Sequence, residues 1–198
     1  NMLKIEDSLY EKGYNFICGV DEAGRGPLCG PVVAAAVILP KDECIEGVND
    51  SKKLSEKKRE VLYDEIISKA VAYGIGISDV DVIEEVNILN ATKIAMKNAI
   101  KNLNVVPDYV LIDGNQMIDI DIPGNTVVSG DAKSESIAAA SILAKVTRDR
   151  MLREYDKKYP EYGFAKHKGY GTKAHIEAIG KYGLTPIHRP SFCKKFVK

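Results

Sequence analysis

The apolar run Phe16-Ile17-Cys18-Gly19-Val20 ends on two adjacent acids, Asp21-Glu22, and continues into Ala23-Gly24-Arg25-Gly26. That order constrains the fold more than any other feature of the chain. Such a run reads as a buried strand, and two carboxylates at its end are costly to desolvate unless a cation compensates them. The fold therefore has to bury the strand and leave its carboxyl end open, with a divalent metal ion as the natural compensator. The glycines clear side chains from the next turn, so that backbone there can approach a ligand, and Arg25 is presented between them. The stretch reads as a metal site beside a polyanion site.

Further apolar runs predict strands at about 31–39, 72–77, 108–112 and 125–128, besides the first at 16–21. Helical spacing lies between them. Ser55 is placed to cap a helix carrying Val61, Leu62, Ile66 and Ile67; Ile88 to Leu103 repeats the pattern through Ile94, Ala95, Ala99 and Ile100 and stops before Pro107. A long helix is predicted from about Ser134 to Lys158, its Ala138-Ala139-Ala140-Ser141 stretch small enough to lie close against a sheet, with Pro160 just beyond its end. Alternating strands and helices predict an α/β core over roughly 15–150, with 151–198 as a helical cap containing a helix from Thr172 to Tyr182. No repeat or linker divides the chain, so 1–198 is expected to form one domain.

The 198 residues contain no run near the ~20 apolar residues of a membrane helix, and no signal peptide opens the chain, so a soluble, cytoplasmic protein is expected. Cys18, Cys29, Cys44 and Cys193 have no zinc-ligand spacing with the three histidines and are read as reduced, Cys18 and Cys29 as small core residues. The formal net charge of zero argues against a nucleic-acid binder, but its distribution reverses that inference. Residues 1–132 hold 13 Lys+Arg against 22 Asp+Glu, a net of −9, whereas 133–198 hold 15 against 6, a net of +9. An acidic metal pocket flanked by a basic surface that grips a polyanion produces this asymmetry; a solvated lysine-rich helix is the plainer alternative.

Four acids share one kind of address, each following an apolar strand. Asp21 and Glu22 follow the first; Asp113 follows Val110-Leu111-Ile112; Asp131 follows Val127-Val128-Ser129-Gly130 and precedes the long helix. At the carboxyl ends of parallel strands such acids converge. Carboxylate oxygens are the ligands of hard cations such as Mg²⁺ or Mn²⁺, and a pair of these clamps the attacking and leaving oxygens of a phosphoryl displacement. Each acid alone has a structural alternative: Asp131 as a helix cap, Asp113-Gly114 as a turn, Asp21-Glu22 as a salt-bridged pair. Adjacent strand residues also point to opposite faces, so both members of the pair are expected to reach one site only if the strand ends or bulges there.

The chain resembles the bacterial ribonuclease HII family over roughly residues 16–192. The resemblance is carried by Gly19-Val20-Asp21-Glu22-Ala23-Gly24-Arg25-Gly26-Pro27, Asn49-Asp50-Ser51-Lys52-Lys53-Leu54-Ser55, Leu111-Ile112-Asp113-Gly114, Gly130-Asp131-Ala132-Lys133-Ser134, Ala138 to Asp149, His167-Lys168-Gly169-Tyr170-Gly171-Thr172 and His188-Arg189-Pro190-Ser191-Phe192. It implies a ribonuclease H-like fold, a five-stranded mixed sheet flanked by helices with a C-terminal helical extension. It also implies a metal-dependent endonuclease that uses two Mg²⁺ or Mn²⁺ ions, cuts the RNA of RNA/DNA hybrids and incises 5′ of single ribonucleotides in duplex DNA. The implied products carry 5′-phosphate and 3′-hydroxyl ends.

Carried over by motif, the metal-site acids fall on Asp21, Glu22, Asp113 and Asp131. The residues that recognise the ribonucleotide 2′-hydroxyl and the junction sugar fall on Gly24, Arg25, Gly26 and Tyr170, and a phosphate contact falls on Lys52. Asp149 stays outside the catalytic set, with Arg148 and Arg150 as expected partners. His175 and His188 are expected to be structural. The implied partners are hybrid and ribonucleotide-containing duplexes, with a monomeric enzyme and no membrane. A non-catalytic hybrid binder and a ribonuclease HIII-like enzyme are the competing readings.

Overall fold

A computed structural model describes residues 4–41 and 43–197. Its strands are β1 (Ile17–Ala23), β2 (Val32–Ile38), β3 (Ala72–Ser78), β4 (Tyr109–Asp113) and β5 (Gly124–Val127). Its helices are α1 (Lys4–Glu11), α2 (Glu56–Lys69), α3 (Val80–Val86), α4 (Ile88–Lys101), α5 (Glu135–Lys158), α6 (Phe164–His167), α7 (Lys173–Tyr182) and α8 (Pro190–Cys193). The strands form one mixed sheet ordered β3-β2-β1-β4-β5, antiparallel from β3 to β1 and parallel from β1 to β5. Parallel pairing puts the carboxyl ends of β1, β4 and β5 on the same edge, the condition for their acids to meet.

Strand parity sorts the core into two layers. Cys18, Val20, Val110 and Ile112 pack with α4 residues Ala91, Ala95 and Ala99 on one face. Ala35 and Val37 pack with Ala138, Ala139 and Leu143 of α5 on the other. Both approaches are closer than side chains allow. A Cβ on Gly19 would lie 2.2 Å from the Ser136 carbonyl carbon of α5, and one on Gly76 would lie 1.9 Å from the Ala95 oxygen of α4. β2 is buried along its whole length, as expected of a strand covered on both faces.

The cap expected at Ser55 forms, its side chain accepting from Lys58 N, and Ser134 and Thr172 cap α5 and α7 in the same way, accepting from the backbone N–H groups of Ile137 and His175. Four of the described helices, α1, α3 and the short α6 and α8, had no counterpart in the sequence reading. In α1, the buried Glu6 Oε2 accepts from Ser136 N and from the hydroxyls of Ser134 and Ser136, each at 3.0 Å, placing a carboxylate on the N-terminus of α5. α3 is begun by Asp79 and parted from α4 by Asn87 at φ +76°, whose side chain caps α4. The boundary expected near residue 150 falls inside α5, which runs on to Lys158.

The C-terminal segment is tied to the loop after β1. Leu28 N donates to Gly169 O, Gly30 N to Ile187 O and Arg189 N to Leu28 O, with Cys29 and His188 forming an antiparallel bridge. Cys29 joins Leu152, Tyr162, Phe164 and Ile187 in a separate apolar cluster, and Cys18 is fully buried, as read from the sequence. Among the described residues no helix is long and apolar enough to cross a membrane.

Candidate active site

At the carboxyl edge of the sheet lies a cavity of about 580 Å³, lined by all nine residues singled out in the sequence. Asp21, Glu22 and Asp113 each offer a carboxylate oxygen, and the three lie within 4.8 Å of one another. β1 neither ends nor bulges to bring this about: its pairing to β2 runs unbroken from Cys18 to Ala23. By parity Asp21 and Asp113 share the α5 face and Glu22 belongs to the α4 face, and both Glu22 and Asp113 also line a second cavity of about 160 Å³ with Thr92 and Met96. The longer Glu22 side chain reaches round the open sheet edge to the other two.

Asp131 lines the same cavity but stands apart from the cluster, in the 3₁₀ turn Gly130–Ala132. It does not cap α5, since Ser134 does. Its Oδ2 lies 3.6 Å from the Nζ of the exposed Lys52. Asp113 Oδ1 accepts from Gly130 N at 2.7 Å, so the end of β4 is fastened to the loop that carries Asp131.

The acids are unequally compensated. Burial holds the Asp21 carboxyl well above the usual aspartate range, and the charges of Glu22 and Asp113 push it further up. Burial raises Glu22 as well, against the opposing pull of its hydrogen bond with Asp21 and of Arg25. Arg25 Nη1 is 3.8 Å from Glu22 Oε1 and half exposed, a weak counter-charge. Glu22 Oε2 is buried with no hydrogen-bond partner. Crowded, desolvated carboxylates with an orphaned oxygen make a donor set suited to a hard cation.

The loop after β1 is built differently from the sequence expectation. Gly24 sits at φ +98°, and a Cβ there would lie 2.3 Å from Arg148 Nε and 2.7 Å from Pro31 O. The space freed at Gly24 is thus occupied by a guanidinium. Gly26 is open, and its Cβ would meet the Tyr170 ring at 3.8 Å. Tyr170 is 43% exposed, so its ring stands at the cavity wall opposite Gly26, with Lys145 Nζ 5.8 Å from the ring centre.

Arg148 and Arg189 were missed as site-building residues. Both are fully buried, and their donors go to backbone carbonyls. Arg148 donates to Pro31 O, Lys168 O and Cys29 O at 2.7–2.9 Å. Arg189 donates to Gly24 O, Arg25 O, Pro27 O, Gly30 O and Pro31 O at 2.6–3.3 Å. Helical spacing held a signal for one of them: Ala140, Ala144, Arg148 and Leu152 form an i, i+4 stripe, and all are buried. The expected partnership of Asp149 with Arg148 and Arg150 is not observed. Asp149 instead lies 3.1 Å from Lys145 and 3.9 Å from Arg59, two cations that line the cavity, while Arg150 pairs with Glu60. The rim therefore carries Arg25, Lys52, Arg59 and Lys145 around a floor of acids, a surface shaped for a polyanion.

A family model described as Ribonuclease HII matches residues 18–195. The curated Ribonuclease HII of Acetivibrio thermocellus is 66% identical over 192 residues, covering 97% of this chain and 75% of the relative. Among solved structures, the ribonuclease H2 from Pyrococcus horikoshii OT3 is similar with a TM-score of 0.77 and 30% identity, over 91% of this chain and 96% of that one. Bst-RNase HIII in complex with Mn²⁺ shares the fold with a TM-score of 0.64 at 17% identity, over 88% of this chain and 65% of that one.

Proposed function

Because the chain belongs to the ribonuclease HII family, we propose that its strand-end acids hold divalent metal for cutting a phosphodiester beside a ribonucleotide. The protein is an endoribonuclease of the ribonuclease H type, acting on the RNA of RNA/DNA hybrids. The observation that carries the metal reading is the cluster of the buried Asp21 with the half-buried Glu22 and Asp113, with one oxygen from each inside 4.8 Å and one Glu22 oxygen unpartnered. Asp131, in the same cavity, completes the set of residues that would hold Mg²⁺ or Mn²⁺. Two such ions, held there, would supply an activated water and stabilise the leaving 3′ oxygen. The chain's own residues do the rest. Arg25, Lys52, Arg59 and Lys145 draw in the phosphates. Gly26 and the Tyr170 ring face each other where a sugar would enter, with Gly24 and Arg25 in the same cavity wall, and the 2′-hydroxyl, which distinguishes RNA from DNA, is what they test.

On this reading the enzyme also incises 5′ of a single ribonucleotide in duplex DNA, leaving 5′-phosphate and 3′-hydroxyl ends. End-mapping on a DNA duplex with one ribonucleotide, with and without Mg²⁺ or Mn²⁺, tests it. The expected result is one cation-dependent cut on the 5′ side of the ribonucleotide. A metal-independent cut, or one that leaves a cyclic phosphate through 2′-hydroxyl attack, would refute it. The same reading makes the enzyme a cytoplasmic monomer, and the four free cysteines suit a reducing compartment. A non-catalytic binder gains nothing from a cluster of acids facing phosphate.

The two glycines of the loop are expected to fail in different ways. Gly24→Ala forces a methyl group into the locked Arg148 side chain at positive φ, and a loss of at least about 2 kcal/mol is expected in urea unfolding. Gly26→Ala makes only an ordinary contact with Tyr170, so stability should stay within about 0.5 kcal/mol. Its methyl group lies in the proposed sugar path, and cleavage beside a single ribonucleotide should fall with the protein fully folded.

A further inference from the structure

Three histidines lie beneath Tyr170, away from the acids. Thr185 N donates to His188 Nδ1 at 2.9 Å, His188 Nε2 is 2.9 Å from His175 Nε2, and His175 Nδ1 is 2.9 Å from Tyr170 O. A backbone N–H can only donate, so His188 Nδ1 is the acceptor and the neutral ring carries its proton on Nε2. That proton goes to His175 Nε2, which leaves the His175 proton on Nδ1, facing a carbonyl that can only accept. The chain of bonds thus has one consistent direction, from Thr185 to Tyr170. His167 stacks on His175 at 4.3 Å and has its own partners, accepting from Gly169 N at Nδ1 and facing Tyr162 O at Nε2.

Both relay rings are essentially inaccessible to water, and Phe164 packs against each. Burial holds His188 down to about 4 and lowers His175 as well, so the neutral forms that the relay requires are the stable ones. The Cys29 thiol sulfur and one nitrogen of each ring lie within 4.8 Å of one another. Its thiol is pushed up to about 12 by burial, and the ring nitrogens are already partnered, so a hydrogen-bonded relay describes the cluster better than a metal site.

The relay acquires a role through the residue next to it in sequence. Arg189 grips the carbonyls of Gly24 and Arg25, while His188 reaches the carbonyl of Tyr170 through His175. Adjacent residues of one segment therefore hold the two walls between which the ribose would pass. We propose that His188 and His175 are positioning residues that fix the Tyr170 backbone relative to the Gly24–Gly26 loop, and so set the enzyme's discrimination of a single ribonucleotide. This rests on the reading of Tyr170 as a substrate contact.

The test combines imidazole nitrogen NMR on the wild-type protein with kinetics on a duplex carrying one ribonucleotide. The spectra should show His188 protonated at Nε2 alone and His175 at Nδ1 alone. The opposite tautomers, or stoichiometric zinc on these rings, overturn the proposal whatever the variants do. In His175→Asn an amide stands near the Nδ1 position and can still donate to Tyr170 O; in His175→Gln it stands near Nε2 and cannot. The Gln variant should lose roughly tenfold in kcat/KM and the Asn variant no more than about threefold. Adding His175→Gln to Tyr170→Ala should cost nothing beyond Tyr170→Ala alone. Equal losses in Asn and Gln, or a multiplicative loss in the double variant, overturn the relay and leave the role of Tyr170 standing. A Tyr170→Ala variant with unchanged kinetics overturns both.

Discussion

Asp21→Asn is expected to reduce turnover by about 10³-fold or more, a loss of roughly 4 kcal/mol of transition-state stabilisation, while making the metal-free protein more stable. The two effects have one cause. Asp21 is 7% exposed and crowded by Glu22 and Asp113, so its charge is disfavoured unless a cation compensates it. Asparagine keeps an oxygen for the Glu22 N–H, which Asp21 Oδ1 accepts at 2.7 Å, and removes the charge. Relief of about 1–2 kcal/mol would raise the melting temperature by roughly 2–8 °C in a chain of this size. The pH dependence has a definite sign. A carboxyl raised in the folded state costs folding free energy once ionised, so metal-free stability declines as pH rises through the raised Asp21 value. The variant should flatten that decline. Thermal melts in chelator across pH, beside cleavage assays on a hybrid, check both halves; a destabilised variant that still turns over would show that Asp21 is a structural acid.

The second large effect is expected at Arg189, which touches none of the acids. Its guanidinium is fully buried and donates to five backbone carbonyls of the segment 24–31. Burial lowers it to about 10, with the nearby charge of Arg148 adding to the effect, so it stays cationic near neutral pH. Arg189→Met leaves the carbonyls of Gly24, Arg25, Pro27 and Gly30 without this donor, while Pro31 O keeps Arg148 Nε. At about 1 kcal/mol net per hydrogen bond, a loss of about 4–5 kcal/mol is expected. Arg189→Lys should recover little, because one ammonium cannot copy a planar fork. Urea unfolding gives the stability change, and cleavage at low temperature reports on the protein that remains folded. Near-wild-type stability in the Met variant would mean that the loop holds its shape without the clamp.

The acids were legible in the sequence for a physical reason. Apolar runs ending in Asp21-Glu22, Asp113 and Asp131 mark strand ends, and the parallel arrangement of β1, β4 and β5 brings such ends to one edge. The resemblance supplied Tyr170 and Lys52, and the fold places both on the same cavity. The strand end or bulge thought necessary at Asp21-Glu22 is not needed, because a glutamate at an open sheet edge has the reach to cross it. The clamping roles of Arg148 and Arg189 were not legible, even though helical spacing marked Arg148 as buried, since their partners are carbonyls 20 to 165 residues away and a carbonyl carries no residue-type signature. The seven-residue α3 was missed for a local reason: Val80, Val82 and Ile83 are as suited to a strand as to a helix, and only the Asp79 cap favours the latter.

Whether the strand-end acids form a cation site is tested most directly by calorimetric titration of Mn²⁺ into metal-free wild type and Asp21→Asn. Saturable binding to the wild type, weakened by about tenfold or more in the variant, is the expected result. Equal affinity in the two proteins would contradict it.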